Sequence, residues 1–448
     1  MWQKLSRSEL LSTFFPTWIW QGREWAKGKV PKYDPYFWIN AHSHPVTSTY
    51  YPPSAITSAL FGSGMLLDRA FSYLVALLGL HTILCFIGWF ILIQTYSGIL
   101  VALFGAITLT FSAYNWKQQP CFIYTIAWFP WLLTGIATHS ILLTSIAFGM
   151  ILLAGYYPIG IQATLIAVGA SVLWDTPLTW MPIGTLIGLP QLIPFLKYLP
   201  KTIRTNKVSS IGKVPWWHPI TLIFPMRLSL RGVGYWEMAY YVGIFPLVLI
   251  WSSSSRALII CVVSYLLMIG LLSNHLPRIP ARWCWSFQFA LGWMALSGLN
   301  NLHLANNVIV CLILIQTFDL LWHNWDLIPT RPFSELYQKP SKAFNTPLTR
   351  YLEANLGDNR VSGLPYPLFT GHINRLKTLG YSGGMQLKLM SKFRNDTNPD
   401  GNGSHDWFKD NKDDRRLNGY RVGFAFSRKR IHNWLQTPIK YLYRNPNL

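Results

Sequence analysis

Carboxylates are scarce in this sequence, and their positions are the first clue to any chemistry it can do. Before Trp322 the 448-residue chain carries only seven: Glu9, Glu24, Asp34, Asp68, Asp175, Glu237 and Asp319; the other ten lie beyond it. An ionisable group within apolar sequence is costly to keep and marks a functional suspect. Glu9 and Asp34 precede the first long apolar run, and a positioned Asp or Glu can take a proton from a hydroxyl nucleophile. Glu237 opens a later apolar segment, where it either lines a site or pairs with Arg227 or Arg231.

Cations stand in matching places. Arg278 and Arg282 are four apart around Pro280, and the guanidinium fork suits bidentate phosphate recognition. Lys201, Arg204, Lys207 and Lys213 on a long loop are a second source, for a phosphate or for ordinary lipid headgroups. His42 and His44 form a His-x-His pair in "YDPYFWINAHSHPVTSTYYPP", residues 33–53. Two residues apart in an extended chain, they share a face. A zinc or manganese site wants three or four ligands, and only Glu9 and Asp34 are obvious additions, so no divalent metal or other cofactor is expected.

These residues are embedded in an unusual composition: 51% hydrophobic, 15% aromatic and 12% charged, with 22 tryptophans. A soluble domain carries about a quarter charged residues, so the chain reads as an all-α polytopic membrane protein. The net charge of +21 sits in loops between apolar runs and in the tail. Anionic lipid or a lipid-linked phosphate is therefore the expected partner, rather than nucleic acid. Cys85, Cys121, Cys261, Cys284 and Cys311 all fall in or beside apolar runs without a CxxC spacing and read as buried small hydrophobes.

Apolar segments fall at 71–94, 97–115, 121–137, 139–154, 157–174, 179–198, 236–251, 256–273, 284–300 and 302–323. A crossing needs about twenty residues, so the expectation is a bundle of about ten transmembrane helices, some of them short. Three parts follow: 1–70, an N-terminal interfacial segment and first extramembrane loop; 71–323, the helical domain with its basic loop 199–235; and 324–448, a basic extramembrane region. In the tail, 360–393 suggests a small α/β unit, 394–416 a polar loop, and "FSRKRIHNWLQTPIKYLYR" (426–444) a basic amphipathic helix. Ten crossings put the first loop, the basic loop and the tail on one side, which the positive-inside rule makes cytoplasmic.

Several patterns then align, in order, with one family. "ELLSTFFPTWIW", "GKVPKYDPY" and "YYPPSAI" resemble the first extramembrane loop of YfhO-type membrane proteins of the GT-C glycosyltransferase class. Downstream, "LGLHTILCFIGWFIL", "TIAWFPWLLTGI", "LLAGYYPIGIQATL", "LIGLPQLIPFLKYL", "WEMAYYVGIFPLVL" and "LPRIPARWCWSFQFALGWMALSGL" are similar to successive helices of that family. The likeness spans residues 9–325, with Glu9 where the family usually has aspartate and Asp34 where it usually has asparagine.

The resemblance implies a shortened GT-C-like bundle that moves a sugar from a polyprenyl-phosphate carrier to a cell-envelope glycan or lipid. It places the first loop and the tail outside the cytoplasm of a bacterial inner membrane, against the positive-inside assignment. Glu9 or Asp34 is then the expected base. His42 is expected to contact the sugar or phosphate, Glu237 to line the site, and Arg278, Arg282, Lys201 and Arg204 to hold the phosphate. The competing expectation is a non-catalytic accessory subunit of a larger membrane complex, docked on an acidic partner through the basic tail.

Overall fold

The structure, a computed structural model, describes residues 14–31, 33–34, 41–42, 48–62, 67–112, 120–198, 214–222, 241–252, 257–269, 271, 280–324, 345–357, 360–362, 422–426, 435–437 and 442–444. The chain divides into two compact units, residues 1–76, 193–205 and 331–448 forming one and residues 77–192 and 206–330 the other.

The first unit opens with helix α1, Phe15–Ala26. Pro16 in its first turn has no N–H to leave unsatisfied, and all residues from Phe15 to Gly22 are buried. After the two-residue strands β1, Tyr33–Asp34, and β2, Ala41–His42, helix α2 runs Pro52–Gly62 and packs on α1. Gln21 Nε2 donates to Thr49 Oγ1 at 2.8 Å, fastening α1 to the turn that leads into α2. Trp25 and Tyr50 meet edge to face there.

The tail contributes a helix and a small sheet. Helix α13, Pro347–Asn355, starts from a capping box in which Thr346 and Thr349 exchange side-chain and backbone bonds. Strands β3 (Arg360–Ser362), β4 (Val422–Phe426), β5 (Leu435–Gln436) and β6 (Leu442–Arg444) lie in the order β3-β4-β6-β5, with β3 parallel to β4 and the other pairs antiparallel. The amphipathic helix expected at 426–444 is thus replaced by two strands. Pro438 would break a helix in that window, and its Trp, Ile, Thr and Tyr residues suit a pleated sheet.

The regular elements described in the second unit are all helices. Helix α3, Leu67–Gln94, carries the chain into it, followed by α4 (Ile99–Phe111), α5 (Pro120–Ala137), α6 (Ile141–Ala154), α7 (Tyr157–Leu173) and α8 (Trp180–Tyr198). Then come α9 (Ile244–Leu249), α10 (Ala257–Met268), α11 (Cys284–Asn301) and α12 (Asn306–Asn324). Every expected apolar segment contains one helix. The segment expected at 236–251 is the most reduced: residues 241–243 are not helical, and only Ile244–Leu249 forms an α-helix before a 3-10 turn. Gly243, at φ +96°, sets that start.

Helix α11 is buried almost around its full circumference and packs on α4, α9 and α10, as an all-round apolar helix must. Its Trp285 and Phe289 join Trp89 of α3 and Phe129 of α5 in an aromatic cluster with centroids 4.8–5.7 Å apart across the helices. Such pairs each add about 0.5–1.5 kcal/mol beyond the area they bury. On α8, Gly184 and Gly188 lie a helical turn apart against α6; a Cβ on Gly184 would stand 2.7 Å from Ser145 O, and one on Gly188 2.7 Å from Leu152 Cδ1. Small residues so spaced let two apolar helices approach closely.

Among the described residues two helices, Leu67–Gln94 and Asn306–His323, are long and apolar enough to cross a membrane. Large apolar side chains are nevertheless exposed on many others: Leu142 and Ile146 on α6, Leu165 and Val172 on α7, Leu186 on α8, Leu258 and Ile259 on α10. Polar side chains are turned inward, among them His81, Gln162, Gln191, Ser264, Ser286, Gln288 and Gln316. Four of the cysteines are buried as expected, but Cys311 on α12 is exposed.

Candidate functional site

A polar cluster of several side chains is built on α12. Gln316, Asp319 and His323 stand at intervals of three and four, hence on one helical face. Opposite them lies the irregular chain that leads into α9. Tyr241 places its hydroxyl 2.8 Å from both Asp319 oxygens, and the backbone N–H of Ile244 donates to Asp319 Oδ2 at 2.9 Å. His323 Nε2 is 3.3 Å from Asp319 Oδ1, and its ring meets the Tyr241 ring edge to face at 4.7 Å. One helical turn away, Gln316 Nε2 donates to Val242 O at 2.7 Å and to Thr108 Oγ1 of α4 at 3.2 Å.

The local sequence explains this arrangement. Gly243 allows the chain to turn so that Ile244 N–H, unsatisfied at the start of α9, reaches Asp319. A Cβ at Gly243 would collide with the Gln316 amide. The Asp319 side chain is only 14% exposed, so it accepts hydrogen bonds where water scarcely reaches, while His323 retains 32%. The arrangement offers a fixed carboxylate with an imidazole at its open edge.

Sequence reasoning singled out Asp319 as a scarce acid but did not place it in a site. The readable signal was a glutamine, an aspartate and a histidine at helical spacing within an apolar run; Tyr241 and the backbone of 242–244 had no comparable mark.

Of the residues predicted to act, Arg282 is fully described. It lies in the 3-10 turn Pro280–Trp283 that opens α11. Its carbonyl accepts from Gln162 Nε2 of α7 at 3.1 Å, and its guanidinium carbon stands 5.6 Å from the centroid of the Tyr156 ring, a cation–π geometry. Asp34 and His42 belong to the antiparallel β1–β2 pair, where Asp34 is opposite Ala41 and His42 opposite Tyr33. The two therefore occupy adjacent rungs of one ladder within the first unit. Glu9, Lys201, Arg204, Glu237 and Arg278 lie outside the described residues, as do His44, Lys207 and Lys213.

Part of the basic loop is firmly seated. Val214 N–H donates to Met268 O at 3.0 Å, Tyr265 OH donates to Trp216 O, and the 3-10 turn His218–Leu222 buries His218. Burial pushes the His218 imidazole down to about 4, since the protonated form would lose its hydration. Trp216 and Trp217 are exposed, and Tyr51 of the first unit is buried. His81 is a buried core histidine, 2.7 Å from Leu77 O and packed on Tyr124. No three His, Cys, Asp or Glu side chains gather among the described residues in a way that could hold a metal ion.

Fold and site together define a predominantly helical protein with two helices long and apolar enough to cross a membrane and a carboxylate–imidazole–phenol cluster at the end of the second. No protein-family model, no curated protein and no solved structure matches this chain.

Proposed function

We propose that the chain is a polytopic membrane glycosyltransferase of the YfhO-like GT-C type, moving a sugar from a polyprenyl-phosphate donor to a cell-envelope glycan or lipid. The observation that carries this reading is the set of large apolar side chains turned outward on short helices, among them Leu142, Leu165, Leu186 and Ile259, while Gln, Ser, Thr and His side chains lie buried among the apolar core. Large apolar patches are rare on soluble monomers, whereas lipid tails accept such side chains. The quoted family motifs support the rest: "TIAWFPWLLTGI" lies within α5, "LLAGYYPIGIQATL" spans the α6–α7 corner, and "LPRIPARW" ends in the turn that opens α11.

In this reading Glu9 or Asp34 takes the acceptor proton as its oxygen attacks the anomeric carbon and the carbon–phosphate-oxygen bond breaks. Arg278 and Arg282, with Lys201 and Arg204, stabilise the departing phosphate, while His42 and Glu237 contact the sugar. The membrane is a bacterial plasma membrane, with the first loop and the tail on its outer side.

One observation favours the competing reading of a non-catalytic accessory subunit. Arg282 is engaged in packing, its carbonyl held by Gln162 and its guanidinium over Tyr156. Glycan product from Glu9→Gln and Asp34→Asn, at unchanged protein abundance, separates the two. Loss of product in either variant supports transfer, and full product in both removes the assigned base. Labelling of a cysteine introduced at Gly401 by an impermeant reagent in intact cells tests the outward tail; protection there puts the charged side in the cytoplasm.

A further inference from the structure

The α12 cluster is not used by that mechanism, and its geometry is more specific than a structural ion pair needs. Asp319 is held from three directions, by the Tyr241 hydroxyl, the Ile244 N–H and His323 Nε2. It cannot turn without abandoning all of them. With Nε2–H directed at Asp319, the lone pair of His323 is on Nδ1, which has no partner among the described residues, on a side chain one-third exposed. Deeper along the same helical face the Gln316 side chain is fully buried, and its Oε1 has no hydrogen-bond partner. An open imidazole nitrogen backed by an immobilised carboxylate is what the hydroxyl of a ligand would require.

We infer that Asp319 and His323 form a proton-accepting site at which His323 Nδ1 receives the proton of a hydroxyl group on the sugar acceptor. The inference rests on the glycosyl-transfer reading and moves the base from the first loop to the end of α12. As the hydroxyl O–H bond breaks, its proton passes to Nδ1 and the oxygen electron pair forms the new bond to the anomeric carbon. The bond from that carbon to the phosphate oxygen breaks, and polyprenyl phosphate leaves with its electrons. The imidazolium then returns the proton to water. Asp319 is a positioning residue: it orients the ring and stabilises the imidazolium without taking the proton itself. Tyr241 acts in turn by fixing Asp319.

The test uses the full chain in lipid nanodiscs, a radiolabelled polyprenyl-phosphate sugar and acceptor glycolipid extracted from the envelope. His323→Asn is expected to lower kcat by about a hundredfold or more, the cost of removing a positioned base, with KM changed less than threefold. Asp319→Asn is expected to lower kcat by about tenfold with the same KM, while His303→Asn, at an exposed turn, stays within twofold. A His323→Asn protein that folds and retains its rate within threefold overturns the inference. If the wild-type protein transfers no sugar, the glycosyl-transfer reading fails, and diethyl pyrocarbonate then decides the site by itself. Located by mass spectrometry, His323 should be acylated at least about threefold faster in wild type than in Asp319→Asn, because the carboxylate activates the ring, with His303 unchanged. Equal rates at His323 overturn it.

Discussion

At the scale of single residues, Asp319 carries more of the fold than its one charge suggests. Replacing it with Ala leaves the buried Tyr241 hydroxyl without its acceptor, at a cost of about 1–3 kcal/mol, and also frees the more exposed Ile244 N–H. Asp319→Ala is therefore expected to lower the unfolding midpoint in detergent more than Tyr241→Phe, which removes one donor and costs about 1 kcal/mol. His218 gives a pH-dependent counterpart. Its imidazole protonates near 6.5 when unfolded but only near 4 in the fold. Between those values the unfolded chain binds more protons, so stability is full above pH 6.5 and falls as the pH drops toward 4, by at most about 3 kcal/mol. The difference in unfolding midpoint between pH 7 and pH 4.5 should shrink in His218→Asn. An unchanged difference would show that another group sets it.

Among the elements, the close approach of α6 and α8 depends on having no side chain at Gly184 and Gly188. A Cβ at Gly184 meets a backbone oxygen, which cannot move aside as a flexible side chain can. Gly184→Val is expected to push the helices apart and destabilise by about 1–3 kcal/mol, whereas Gly169→Ala, on open space in α7, should be neutral or stabilising because alanine favours helix. Thermal unfolding of the pair of variants in one detergent checks both. Gly243→Ala belongs with the first: φ of +96° and the Gln316 amide both oppose a methyl group.

For the whole molecule, lipid tails are the solvent of the outward leucine and isoleucine side chains in the proposed membrane reading. The protein should stay with the membrane after alkaline extraction and enter solution only with detergent. A monodisperse, detergent-free preparation would instead mean that another protein surface covers those side chains. The charge of +21 adds a salt-dependent attraction to anionic bilayers, so binding of the detergent-solubilised protein to phosphatidylglycerol vesicles should weaken as ionic strength rises.

Helix positions were legible in the sequence because long apolar runs between Gly, Pro and polar turns have few alternatives to helix. That reasoning placed α3 to α8 and α10 to α12 within a few residues. It failed where the local signal was shared between states: "WEMAYYVGIFPLVL" is apolar enough for a long helix, yet Gly243 and its contact with α12 set the helix start at Ile244, and within "FSRKRIHNWLQTPIKYLYR", which has helical amphipathicity, Leu435–Gln436 and Leu442–Arg444 pair as strands. The candidate site was legible only in part. Composition alone marked Asp319 as an acid out of place, and helical spacing sets Gln316, Asp319 and His323 on one face. Only the tertiary structure decided that Tyr241, seventy-eight residues away, gives that acid its hydrogen bonds, because which segments pack together depends on long-range side-chain fit that no local pattern encodes.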